Sequence, residues 1–187
     1  LSVVQHAQPA SVQHVTLATY GGGMLGGDDF QLDVDVEADA ALHLTTQSAG
    51  RAFTTRGATR HAATAYAMRA RLAPGSLLCL APDPTAACKD AVFTSNTTVV
   101  VEPGASAAVV DWLAAGRVAT GEQWAAARLT ATTELVHPKG RVVEAIALER
   151  DAVELAHHSA ATAAAVDPRT AANAGLFLGQ DVECDAF

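Results

Sequence analysis

Aromatic residues are scarce, at 5% of a 187-residue chain, so a core built here is filled by small and β-branched side chains rather than by rings. Cysteine is scarce too. Cys79, Cys88 and Cys184 are odd in number and irregularly spaced, which argues against a secreted disulfide framework and a zinc ribbon and favours a reducing compartment. Basic residues number 12 against 20 acidic ones, for a formal charge of -8, and such a chain repels nucleic-acid phosphates and anionic bilayer surfaces. There is no run of about 18 apolar residues to span a bilayer, and no basic-then-apolar leader at the N-terminus. The expectation is a cytoplasmic protein with neither nucleic acid nor membrane as partner. Also missing are a paired-histidine helix motif, a Cys-x-x-Cys, a P-loop lysine and a nucleophile elbow, so no constellation for hydrolysis or phosphoryl transfer is visible and no enzyme is expected.

Half of the residues are hydrophobic, and that share is patterned. Phe30-Gln31-Leu32-Asp33-Val34-Asp35-Val36-Glu37 alternates apolar and polar residues without a fault, the period of a strand with one buried face. Similar short runs at Val12–Thr19, Ala41–Thr46, His61–Leu72, Val92–Val101, Ala107–Leu113, Arg128–Val136 and Val142–Leu148 are predicted strands. Turn signals separate them, among them Ala73-Pro74-Gly75, Glu102-Pro103-Gly104 and His137-Pro138-Lys139-Gly140. The two Pro-Gly steps lie 29 residues apart, each followed by a short apolar strand, which hints at a stacked repeat. The reading is one domain over residues 1–187, mainly β, a solenoid-like or β-helix-like stack of antiparallel and mixed strands. The Ala-rich stretch from Ala152 to Ala174 favours one or two helices near the C-terminus. The strand pattern is already under way at Leu1, so the chain is expected to be incomplete at one or both ends.

Gly21-Gly22-Gly23-Met24-Leu25-Gly26 satisfies G-x-G-x-x-G, but a dinucleotide site needs a helix directly after the glycines, and here a period-2 strand follows. A glycine-rich crossover, in which positive φ or close backbone approach excludes side chains, is the better reading. Asn96-Thr97-Thr98 matches a glycosylation acceptor by chance, since no secretion signal accompanies it. Asp28, Asp83, Asp111 and Glu122 stand beside glycine, proline or tryptophan at predicted strand edges. Each is a solvated carboxylate in the bland reading and a wall of one polar channel in the functional one. His157-His158 could supply nitrogen ligands, but neighbours on a helix point about 100° apart and do not easily share an ion.

Taken together, Tyr20-Gly21-Gly22-Gly23-Met24-Leu25-Gly26-Gly27-Asp28 and the acidic alternating strand after it resemble the urease accessory family UreD, called UreH in some species. Further landmarks follow in the family's order: Thr45-Thr46-Gln47 ahead of Arg51 and Phe53, Pro82-Asp83-Pro84, the run Val109-Val110-Asp111-Trp112-Leu113-Ala114-Ala115-Gly116-Arg117, and Gly121-Glu122-Gln123-Trp124. Cys88-Lys89-Asp90-Ala91 is similar to the segment found in eukaryotic members. The pattern departs from the family at Arg51 and Phe53, where Lys and Tyr are commoner, and at Ala125-Ala126-Ala127, where Phe is common.

The resemblance implies a non-catalytic urease maturation factor that binds a UreF-type protein, through it a UreG-type GTPase, and docks on apo-urease. It implies no permanent cofactor, only transient Ni2+ as cargo in a water-filled passage. For such transit oxygen ligands suit better than thiolate sets, which hold late divalent ions tightly. The candidate passage residues are therefore Asp28, Asp83, Asp111 and Glu122, with Thr45, Thr46 and Gln47 lining it and Gly21, Gly22, Gly23, Gly26 and Gly27 shaping the backbone. Arg117 is a candidate partner of Glu122 or Asp111, and Trp112 and Trp124 are expected to pack in the core. Two alternatives stand beside this: a carbohydrate-active β-solenoid enzyme using Asp83 with Asp111 or Glu122 as acid and base, and a purely structural scaffold that never touches metal.

Overall fold

The computed structural model describes residues 2–6, 12–54, 63–149, 172–178 and 185–186. Over these the protein is two β-sheets face to face. The larger contains β1 (Ser2–His6), β2 (Val12–Ala18), β4 (Ala41–Thr46), β7 (Leu77–Leu80), β10 (Ser106–Ala114), β13 (Ala172–Leu178) and β14 (Asp185–Ala186) in that order, with β5 (Gly50–Ala52) and β8 (Thr85–Ala87) paired alongside. The smaller runs β12 (Gly140–Glu149), β11 (Arg128–His137), β9 (Val92–Val101), β6 (Thr64–Leu72), β3 (Asp29–Val36).

The chain alternates between the sheets, so that β2, β4, β7 and β10 pair in parallel in one, and β3, β6, β9 and β11 in the other. Among the described residues antiparallel pairing is confined to β1 on β2, β13 on β10, β14 on β13 and β12 on β11. This corrects the expected prominence of antiparallel strands. Alternation within one strand reports a half-buried face but not the direction of its neighbour, which the crossing connections set. The one or two helices expected near the C-terminus fall on residues 152–171, which lie outside the described residues; Ala172–Leu178, which takes in the end of that stretch, is strand.

The passages from β3 to β4, from β6 to β7 and from β9 to β10, each from the smaller sheet to the larger, are tight turns. The amides of Ala40, Ser76 and Ala105 donate to the carbonyls of Glu37, Ala73 and Glu102, and the third residues, Asp39, Gly75 and Gly104, all have positive φ, the conformation that favours glycine or Asp. The turns stack on one another: Asp39 N–H donates to Pro74 O at 3.3 Å and Gly75 N–H to Gly104 O at 3.1 Å. The 29-residue spacing of the Pro-Gly steps is thus one circuit of the chain.

The return passages are longer and stack as well. Met24 bridges to Ala52, Ala52 pairs with Ala87 through β5 and β8, and with Phe93, Leu113, Ala126, Leu129 and Ala131 they form one buried cluster. The other cluster lies toward the tight turns: Val36, Leu44, Ala70, Leu72, Leu78, Val99, Val101, Val109 and Leu135 are among its members. Small and aliphatic residues dominate both, as the low aromatic content requires, with Phe93 the largest fully buried side chain.

Candidate functional site

Between the two clusters the inward-facing positions turn polar. On β9 the inward series runs Phe93, Ser95, Thr97, Val99; on β11, Ala131, Thr133, Leu135; on β10, Val109, Asp111, Leu113. Thr97 and Thr133 are direct neighbours in register. A belt of hydroxyls and one carboxylate cannot close as tightly as an aliphatic layer, and a cavity of about 120 Å³ results, room for several waters. Its walls include Thr45, Thr46, Gln47, Tyr66, Asp111 and Thr133, and the exposed lining residues Thr19, Gln47 and Ser48 mark its mouth.

Asp111 is the carboxylate among the lining residues. It accepts a hydrogen bond of 2.7 Å from the buried Thr133 hydroxyl. Tyr66 faces the same space, and burial, followed by the negative charge of Asp111, pushes its phenol up to about 12. Tyr66 is therefore a neutral phenol at neutral pH, in the same cavity wall as Asp111.

Of the seven side chains the sequence proposes for a passage, Asp111, Thr45, Thr46 and Gln47 line this cavity. Thr45 donates its hydroxyl to Ala81 O at 2.8 Å, which fixes it against the third return passage. Asp83 is exposed and coupled to Thr46: its amide donates to Thr46 Oγ1 at 2.7 Å and the Thr46 hydroxyl lies 3.3 Å from Asp83 Oδ2. Asp28 is placed elsewhere. It closes the glycine turn by accepting from the Leu25 amide at 2.7 Å, an Asx-type cap. Glu122 is also engaged locally. Arg117 donates to it through Nε at 3.1 Å and through a close Nη2 contact, and the Lys89 amide adds a third bond at 3.0 Å. The Arg117 guanidinium holds the Glu122 carboxyl below the usual carboxylate range. Of the two partners the sequence offered Arg117, the structure selects Glu122.

The glycines work as backbone devices of two kinds. Gly21 and Gly22 have positive φ in a short 3-10 turn, whereas Gly23 is extended and sits so close to the second return passage that a Cβ would fall 2.5 Å from both Arg51 O and Phe53 Cε2. No α-helix follows them; β3 starts at Asp29. Cys88 is buried in the third return passage, and that burial pushes its thiol up. Trp124 packs against the return-passage cluster, while Trp112 is half-buried on β10.

Sequence reasoning missed Tyr66 and Thr133, which sit in plain alternating strands with nothing local to mark them. A signal did exist: Ser95, Thr97, Asp111 and Thr133 are polar at positions where strand alternation assigns the inward face. What does gather in space is the set of motifs. The segments Tyr20–Asp28, Thr45–Phe53, Pro82–Ala91 and Asp111–Trp124 fall on the four successive return passages and the strand ends that lead into them, and the passages are joined by Met24 N–H to Arg51 O at 2.7 Å, Cys88 N–H to Ala52 O at 3.0 Å and Asp90 N–H to Ala125 O at 2.9 Å.

A family model described as UreD urease accessory protein matches residues 1–183. Relatives include the urease accessory protein UreD of Anaeromyxobacter sp. (strain Fw109-5), 37% identical over 108 residues that cover 58% of this chain and 35% of the relative. UreD of Sorangium cellulosum is 29% identical over 188 residues, covering 95% of this chain and 56% of the relative. Urease accessory protein D of Oryza sativa subsp. indica is 31% identical over 106 residues, covering 57% and 33%. The chain thus spans about a third to somewhat over half of the length of these curated relatives.

Proposed function

The chain belongs to the UreD family of urease accessory proteins, and we propose that it acts as a non-catalytic urease maturation factor, a scaffold that docks accessory partners on apo-urease and gives nickel a path through its polar cavity. The observation that carries this reading is the belt of oxygen donors between the sheets: Thr46, Gln47, Asp111 and Thr133 offer hydroxyl, amide and carboxylate oxygens with a single negative charge among them. Oxygen ligands of that kind hold a late divalent ion weakly compared with imidazole or thiolate sets, which suits a cargo that must leave again. Thr133 and Tyr66 flank Asp111 in this picture: the hydroxyl orients the carboxylate, and the neutral phenol leaves its charge uncompensated for an arriving cation.

The winding supports the same reading. Parallel pairing sheet by sheet, with stacked turns at one end and stacked return passages at the other, is how a β-solenoid is built, and we read the body as one. It presents the family's motifs as neighbouring rungs at one end, a rigid platform on which a UreF-type protein, and through it a UreG-type GTPase, would sit. The soluble compartment where urease is assembled is the natural location; no helix among the described residues is long and apolar enough to cross a membrane.

The test is reconstitution. Co-expressed with UreF-type and UreG-type partners and apo-urease, the chain is expected to raise nickel-dependent urease activation, and Asp111→Ala to co-purify with the partners yet activate at least tenfold less. Asp83→Ala, outside the cavity lining, is expected to have a smaller effect. Full activation by Asp111→Ala would remove the cavity from the mechanism, and failure of the unaltered chain to assemble or activate would remove the maturation role.

A further inference from the structure

A pair of histidines lies on the opposite face of the larger sheet from the cavity. In β2 and β4 the inward positions are taken by Val15, Leu17, Leu42 and Leu44, so His14 and His43, each adjacent to an inward residue, face outward. They are partners in the parallel register, half-buried between flanking strands, with ring centroids 5.2 Å apart at an interplanar angle of 77°. Their Nδ1 atoms face each other at 3.1 Å. In the backbone register His6 pairs with His14 across β1 and β2 and Cys79 with His43 across β4 and β7.

We propose that His14 and His43 form a bidentate site for a divalent late first-row transition ion, separate from the interior cavity and independent of its role. With metal–imidazole bonds of about 2.1 Å, two nitrogens at the observed separation subtend roughly 95° at a shared ion. That is close to the right angle of tetragonal and octahedral sites. Parallel strands spaced about 4.8 Å apart hold the two rings in place from both sides, so little side-chain freedom remains to be lost on binding. Without metal the same contact is a hydrogen bond between one Nδ1–H and the other Nδ1; with metal both lone pairs turn to the ion and the ring protons reside on Nε2. The strands β2, β4 and β7 contain no Lys or Arg, so no fixed cation on them opposes the ion, and the chain's net charge of -8 favours its approach. Two imidazoles and water complete a site that binds Cu2+ more tightly than Ni2+ or Zn2+.

The test uses the full chain, titrated with Cu2+ and with Ni2+ in competition with a chromophoric chelator, together with electron paramagnetic resonance of the Cu2+-loaded protein. One Cu2+ per chain with nitrogen couplings from two imidazoles is expected at this site. His14→Ala and His43→Ala should each weaken it at least tenfold, with unchanged circular dichroism, while the double variant H157A/H158A, which removes the tail histidines, should leave it in place. Unchanged affinity in both His14→Ala and His43→Ala, or loss of binding in H157A/H158A, would overturn the proposal. Should either single variant fail to fold, the spectrum of the unaltered protein decides: no coupling from imidazole nitrogen means no such site.

Discussion

Along β11, Leu135 and Thr133 point to the same side of the sheet two residues apart, yet Leu135 is sealed in an aliphatic cluster and Thr133 borders a cavity. The same divide runs through β9, between Val99 and Thr97, while on β10 Val109 belongs to the aliphatic cluster and borders the cavity as well. The cluster by the tight turns is dry because every rung contributes an aliphatic side chain to it. One step further along, the rungs contribute hydroxyls, an amide and a carboxylate, and these stay apart because each needs a polar partner or water. The hollow part of the sandwich therefore follows from side-chain chemistry on a uniform backbone, without a break in the strands.

The contrast can be attacked from both sides. Leu135→Ala on the dry side should have the largest effect, a loss of about 2–5 kcal/mol of stability, read from denaturant unfolding. Val99→Thr brings a hydroxyl into the same dry layer, where it lacks a partner, and should cost about 1–3 kcal/mol; an unchanged midpoint would show that water reaches further than the cavity wall. Thr133→Val removes only the hydrogen bond to Asp111 in a space where water can replace it, so about 1 kcal/mol is expected from the same unfolding curves. Comparable losses for Leu135→Ala and Thr133→Val would erase the distinction.

The smallest effect concerns the electrostatics of the hollow. Ultraviolet titration should find Tyr66 ionising at about 12, and Tyr66→Phe should abolish that step. Asp111→Asn should lower the value without returning it to the ordinary 10, because burial is the larger cause and the Asp111 charge the second. The sign for stability follows: a phenol kept neutral by the fold leaves stability intact below the unfolded tyrosine value of about 10, and stability declines as pH rises from there toward 12. Asp111→Asn narrows that window.

Much of the fold was legible in the chain. Val92–Val101 and Ala41–Thr46 are strands to the residue, and the other long strands differ from expectation by a residue or a few at their ends, because alternation of apolar and polar side chains is a local property. The short β5 and β8 were not legible. Three-residue strands carry no period, and Gly50–Ala52 and Thr85–Ala87 are strands only because the return passages stack. At the site, Thr45, Thr46, Gln47 and Asp111 were found through their motifs. Asp28 and Glu122 stand in equally recognisable motifs but serve a turn and an ion pair, a distinction that depends on partners distant in sequence or on local geometry that residue type does not reveal.

By itself the sequence determined most of the long strands, the turns between them and the family, since periodicity, Pro-Gly chemistry and ordered motifs are written in neighbouring residues. Only the tertiary structure decided that the strands pair in parallel, that Asp111 meets Thr133 and Tyr66, and that His14 meets His43. Those contacts join residues 22 to 45 positions apart, and which residues share a rung depends on the length of each circuit of the chain, a sum over every turn and crossing that no single stretch of sequence contains.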